Sequence, residues 1–430
     1  MNSNLNDPAD ALASAIKAND ATRVRQELER FPQLKRRLNE SAPCAPFGMT
    51  ALLVAVQQKN REMIDVLLQA GADINTRSHW WAGSFGVLDW DSGLEVFLIE
   101  RGAVVDAHAA ARLGRLDRLK DLVSSQPEMV HARGGDGQTP LHFATTVEIA
   151  DYLLDHGANI DALDVDHEST PAQYMIRDRQ AVARRLVERG CKTDVLLAAA
   201  LGDLELVRKH LDADPACIRI NVSEQYFPKQ NPKAGGTIYI WTLGQNKTPH
   251  LVASQFGHKE VFGLLMERSP EALKLAQACE LGDEATFKAM LAKNPGLAQG
   301  LSDEDKRKLV NAAQDNNSRA VGLMLGAGWP VDMPGQHGGA ALHWAAFHGN
   351  AEMAKLILRY HPSLERRDHD FNSTPLGWAI HGSQNGWYCR TGNYPATVEA
   401  LLDAGARLPE KIGGTESVQE VLRRFRARAG

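Results

Sequence analysis

The sequence predicts an all-α solenoid of about twelve helix-pair units, and three observations carry that prediction. A short phrase recurs, as Thr139-Pro140-Leu141-His142-Phe143-Ala144, Ala341-Leu342-His343-Trp344-Ala345-Ala346 and Thr374-Pro375-Leu376-Gly377-Trp378-Ala379, with weaker echoes at Thr170-Pro171 and Thr248-Pro249. An apolar helical segment follows, often with a Leu-Leu pair, as in Ile64-Asp65-Val66-Leu67-Leu68. That segment stops at a glycine (Gly71, Gly157, Gly328, Gly405) and gives way to a polar finger such as Ala72-Asp73-Ile74-Asn75 or Ala158-Asn159-Ile160-Asp161. One such unit cannot bury its apolar face alone, so the units must stack into one continuous core.

Each element has a local reason. Thr-Pro starts the first helix, because a proline in the first turn gives up no needed hydrogen bond. Alanine then dominates that helix and lets neighbouring helices approach closely. The closing glycine suits a left-handed C-cap. Second helices are expected at VRQEL, IDVLL, LEVFL, LDRLKDLV, VEIADYLL, AVARRLV, LELVRKHL, KEVFGLLM, EATFKAML, RAVGLML, AEMAKLIL and TVEALL. The terminal SVQEVLRRFRARA is more charged and reads as a cap. The expected organisation is a single solenoid: a capping unit over 1–45, repeats over 46–217, a long inserted hairpin over 218–247, repeats over 248–410 and a capping helix over 411–430. Tetratricopeptide repeats have a similar period but lack both the Thr-Pro start and the Gly-Ala-Asp-Ile-Asn finger.

These motifs resemble the ankyrin repeat family over nearly the whole chain, and the layout is similar to that of a group of long bacterial ankyrin repeat proteins. The likeness is densest over Gly137–Asp161 and Gly335–Ala406 and thinnest over Gly102–Met129, Lys192–Ala216 and Glu271–Leu297, where the finger is shortened. The resemblance implies β-hairpin fingers and a concave groove floored by the first helices. It also implies a register, in which Gln336, His337, Gly339, Phe347 and His348 face the groove, followed by Asp370, Phe371, Ser373 and His381. Gln245, Lys247, Gln255 and Phe256 take those places in another unit, and Gln57 and Gln58 in a third. The motif histidines His142 and His343 are implied to tie loop backbone together rather than to do chemistry.

Three segments break the period. The first is Ser78–Asp91, holding Trp80, Trp81 and Trp90. The second is Asn221–Asn246, holding Tyr226, Tyr239 and Trp241; its TIYIWTL alternates as a strand does, after a Gly235-Gly236 turn, and predicts a long hairpin. The third is Gly382–Pro395, holding Trp387, Tyr388 and Arg390 and expected as an insertion between two helices. Insertions in repeat proteins map to loops, often on the binding face. Either each loop tryptophan packs on its own repeat, or several share a pocket.

Composition narrows the function classes. A net charge of −5 speaks against a nucleic-acid backbone as partner. Five scattered cysteines include no CxxC, so no zinc module or disulfide framework is expected. No apolar run is long enough for a membrane span. No Walker A, GxGxxG, HExxH or GxSxG motif occurs. Any chemistry would therefore be acid–base work, for which His337, His348, Asp370 and His381, with Asp89 and Asp91, are the candidates. His369 lies between Asp368 and Asp370, but successive finger residues point alternately, so neither a metal nor a cofactor is expected. The expected function is a monomeric cytoplasmic binding protein that holds a partner protein, a peptide or a small molecule in its groove. The alternative is a cofactor-independent isomerase, lyase or hydrolase with its active site there.

Overall fold

Residues 8–43 and 45–429 are described by the computed structural model, and every predicted second-helix segment falls on a helix, with only Leu94 of LEVFL outside as a cap. The all-α expectation holds: among the described residues there is no strand, only one isolated bridge between Ser41 and Thr50. The chain divides into two compact units, one running to Val252 and the other from Ala253.

In the first unit, helix pairs stack from Pro8–Lys17 with Ala21–Arg30 through to Val195–Leu201 with Leu204–Ala213. All seven residues of Val195–Leu201 are buried. Each buried leucine there contributes roughly 1.5–3 kcal/mol relative to exposure, and the intervening alanines permit the tight approach. Short polar side chains cap the helices. Thr50 Oγ1 accepts from Leu53 N–H, and Asp106 and Asp194 accept from Ala109 and Leu197 N–H. In the second unit, the pairs run from Glu271–Leu281 with Glu284–Lys293 to Pro375–Asn385 with Tyr394–Asp403 and end on Glu416–Ala429. Leu342, Trp344, Met353, Ile357, Trp378, Val398 and Leu401 knit that core.

The three shortened stretches keep their helix pairs, at Ala107–Arg112 with Leu116–Ser125, at Val195–Leu201 with Leu204–Ala213, and at Glu271–Leu281 with Glu284–Lys293. Proline-initiated 3-10 turns such as Pro127–His131 and Pro215–Arg219 follow two of them. Elsewhere the finger tips are turns pinned by a residue with positive φ, including Phe47 (56°), Asp136 (54°) and His337 (60°). Successive tips are joined by backbone bonds. Val165 N–H donates to Asp136 O at 2.8 Å, and His369 N–H to His337 O at 2.8 Å.

The inserts differ from expectation in their local structure. TIYIWTL is not a hairpin strand: Tyr239–Thr242 is a helical turn, because burial of Tyr239 and its hydrogen bond to Asp194 override the alternating pattern. Residues 78–92 form turns in the place where the first helix of that unit would stand. The third insert begins inside a helix, since Pro375–Asn385 runs through Gly382 and only 386–393 form a loop.

Candidate functional site

The second unit contains a recess of about 410 Å³ walled almost wholly by aromatic rings. Two consecutive first helices build its floor. Trp344 comes from Ala341–Phe347 and Trp378 from Pro375–Asn385, and their rings meet edge to face at 5.1 Å. Phe347 and Trp387 stand on one side, with Trp387 5.8 Å from Trp344, while Phe371 and His337 come from the fingers on the other. His381, Ser373 and Gly377 complete the lining. The floor is buried (Trp344 3%, Trp378 6% exposed), whereas Trp387 and Phe371 are each 65% exposed, so the recess has a fixed base and open lips.

One carboxylate lies behind this aromatic wall, and a second stands exposed on the finger beside it. Asp368 accepts from the Trp378 indole at 2.9 Å and from Phe371 and Ser373 N–H. Burial works against its charge, yet these bonds hold the carboxyl below the usual range. Asp370 bonds His369 and His337, the latter at 2.7 Å, and both rings hold its carboxyl down. A histidine oriented by a carboxylate is what general acid–base chemistry needs.

Other predicted residues of this unit are placed differently. His348 is buried, with Nε2 bonded to Gln314 O at 2.8 Å, and burial lowers its pKa. It supports Trp387 and Tyr388 from behind, at 5.4 and 5.1 Å. Arg390 and Gln255 are exposed, and Phe256 is half-buried against His258. The Asp368–His369–Asp370 run is no metal cluster, because Asp368 is turned to its own loop and Trp378.

The first unit holds a larger cavity of about 530 Å³. Phe47, Phe85, Trp90, Phe143, Ile238 and Trp241 give apolar walls, and Asp89, Asp136, Asp166, His167, Tyr174, Arg112 and Arg179 give charge and polarity. Of the predicted residues, Trp90 and Trp241 thus share one cavity. Trp80 braces it from outside by donating its indole N–H to Asp136 Oδ1 at 3.0 Å. Burial, reinforced by Asp166 and Asp164 and opposed by His167, pushes the Asp136 carboxyl up to about 6. Burial lowers the Arg179 guanidinium to about 10, and its Nη1 bonds the carbonyls of His142 and Ala144. Asp91 is exposed, and Asp89 is the buried carboxylate, paired with Arg77 at 2.7 Å. Tyr239 is fully buried and donates to Asp194, so it is core rather than surface. Trp81 is exposed, and Tyr226, Gln245 and Lys247 are half-buried outside the lining.

Sequence reading missed Trp344 and Trp378 as lining residues by assigning both to packing; in fact each packs and lines at once. Asp136, Asp166, His167, Tyr174 and Arg179 were missed because they lie in regular repeats. Their signal was the pairing of Asp and His at the tips of two successive fingers. The motif histidines fall where expected. His142 Nδ1 accepts Thr139 N–H at 3.0 Å and its Nε2 meets Ser169 O, while His343 bonds Ala340 N–H and Arg366 O in the same way.

Comparison with known proteins agrees with this architecture. The family described as "Ankyrin repeats (3 copies)" matches residues 107–196 and 275–411, and "Ankyrin repeat" matches residues 47–79. A palmitoyltransferase, ZDHHC13 of Mus musculus, is 29% identical over 116 residues, covering 27% of this chain and 17% of its own. The palmitoyltransferase Hip14 of Drosophila melanogaster is 27% identical over 124 residues, covering 29% and 18%. The chain thus spans less than a fifth of the length of these relatives. The crystal structure of the human ASB11 ankyrin repeat domain covers 70% of this chain and 98% of its own at 19% identity, with a TM-score of 0.27. Among the described residues no helix is long and apolar enough to cross a membrane. The chain belongs to the ankyrin repeat family, whose repeats point to a role in protein interaction.

Proposed function

We propose that this protein binds a partner protein by taking a basic side chain of an extended peptide segment into the recess around Trp344, Trp378 and Trp387. The observation that carries this reading is the combination of three indoles and two phenyl rings with one carboxylate behind them and another on the adjoining finger. Aromatic faces attract a cation by about 0.5–2 kcal/mol, more as water is excluded. The charge of Asp368 and Asp370 adds to that field, and among the described residues no lysine or arginine lines the recess to oppose it. Rigid aromatic anchors at the base of a pocket are also what concentrates binding energy at interfaces.

A pentapeptide series Ac-Gly-Gly-X-Gly-Gly-NH2, with X as arginine, lysine, leucine, tryptophan or glutamate, tests this by following the indole resonances of the full chain. The arginine and lysine peptides are expected to shift the Trp344, Trp378 and Trp387 signals, and Trp387→Ala to abolish the response. Equal or stronger shifts with leucine, or none with any peptide, would reject the reading. A second reading, acid–base chemistry at the same recess, rests on the 2.7 Å contact between His337 and Asp370. It requires a turnover that His337→Gln removes while peptide binding persists.

A further inference from the structure

We propose that the first unit carries a site for a divalent transition-metal ion, held by Asp136, Asp166 and His167 at the wall of its cavity. One ligand atom of each lies within 4.8 Å of the others, and all three side chains line the cavity. They come from the tips of two successive fingers, which the Val165 N–H to Asp136 O bond fixes against each other.

The outer contacts of these side chains make this more than a chance gathering of charge. His167 bonds Gly236 O through Nδ1 at 2.9 Å, which leaves Nε2 as the free ligand atom. Asp136 commits Oδ1 to the Trp80 indole, and Asp166 commits Oδ1 to Gly235 N–H at 3.2 Å. Each of the three is therefore anchored by one atom from outside the cluster and keeps another unspent. That is the arrangement by which outer partners aim metal ligands. His167 Nε2 and Asp166 Oδ2 stand 3.7 Å apart, and two donors on one ion at bond lengths of about 2.0–2.2 Å stand roughly 3–4 Å apart. The second insert approaches closely here, since a Cβ at Gly235 would sit 3.3 Å from Asp166 Oδ2 and His167 Cε1.

A second observation points to a bound species. Tyr174 lines the same cavity, with its ring 6.1 Å from that of His167. Its hydroxyl is shut off from solvent beside Asp164 and Gln138, yet it forms no hydrogen bond of acceptable geometry with either. A buried hydroxyl left so costs stability unless something else bonds it. An imidazole beside two carboxylates selects manganese, iron, cobalt or zinc over calcium.

The test uses the full chain, stripped with EDTA and titrated with Co2+ and Zn2+. One equivalent of tight binding is expected, with a visible Co2+ absorption spectrum. His167→Gln and Asp136→Asn should each weaken it by 100-fold or more, while His369→Gln should leave it unchanged. Should either site variant misfold, the wild-type protein still decides. Substoichiometric Mn2+ is expected to broaden the Trp80 indole resonance before those of Trp344 and Trp378. Absence of a one-equivalent site, unchanged affinity in folded His167→Gln, or selective Mn2+ broadening elsewhere would overturn the proposal.

Discussion

Removing the proton-binding capacity of a motif histidine should flatten the pH dependence of stability between pH 7 and 5. Burial depresses His142 to about 3 and His343 to about 4, and each Nδ1 accepts a backbone N–H from the residue three positions earlier. Protonating Nδ1 would set donor against donor. In the unfolded chain the same ring titrates near 6.5. Because the folded pKa is lower, each histidine is neutral in both states above pH 6.5 and costs nothing there. As the pH falls below 6.5 the unfolded state takes up the proton first, and stability is lost until the folded pKa is reached. At pH 5 the loss is 1.5 pH units at about 1.36 kcal/mol each, or about 2 kcal/mol per histidine. Glutamine isolates this effect, since Gln173 already makes the equivalent bond to Thr170 N–H at 2.8 Å. His343→Gln should lose the Nε2 bond to Arg366 O, costing about 1 kcal/mol at pH 7, but should drop about 2 kcal/mol less than wild type on going to pH 5. Urea unfolding followed by far-UV circular dichroism at pH 7, 6 and 5 measures both. Parallel pH profiles for wild type and variant would refute the assignment of a neutral, acceptor Nδ1.

Three further outcomes follow from particular contacts. Trp387→Ala removes a ring that is 65% exposed, so unfolding should change by under about 1 kcal/mol while the response to basic peptides falls at least tenfold. Gly83→Ala places a Cβ 2.2 Å from Gly134 O and 2.5 Å from Gly137 N at a φ of +148°. It should destabilise the first unit by roughly 1–3 kcal/mol and expose residues 78–92 to limited proteolysis. Tyr239→Phe strips the 2.9 Å bond from Asp194 and should cost about 1–3 kcal/mol in urea unfolding.

The helix pairs were legible because they rest on local chemistry that repeats. The Thr-Pro start, alanine-rich first helix, leucine pair and closing glycine each act within a few residues, so spacing alone locates them. Tyr239 shows where this stops. Its alternating neighbours read as a strand, but the buried bond to Asp194, 45 residues earlier, fixes a helical turn, and no local pattern reports that partner. The recess was half legible for a related reason. Register assigned His337, Phe347, Phe371 and His381 to one face, and the period break singled out Trp387. Trp344 and Trp378 were read as packing because one copy of a repeat cannot show that a core ring also forms the floor of its neighbour's pocket.

The cavity of the first unit carries the same point further. Irregular inserts drew attention through their tryptophans, yet Trp80 and Trp90 serve there as brace and wall. The charged groups they enclose come from ordinary finger tips, which carry Asp136, Asp166 and His167. A solenoid fixes helix spacing through its buried residues and leaves the tips to solvent, so a tip side chain bonded from outside its own finger is under a constraint that stacking does not impose. His167 is such a residue: its backbone N–H bonds Asp164 within its own finger, as Phe371 N–H bonds Asp368, but its Nδ1 reaches Gly236 O. The second insert reaches back across two repeats to make the latter bond. That reach leaves Nε2 facing the cavity, and the Ile238 N–H to Ser169 Oγ bond ties the insert to the same finger.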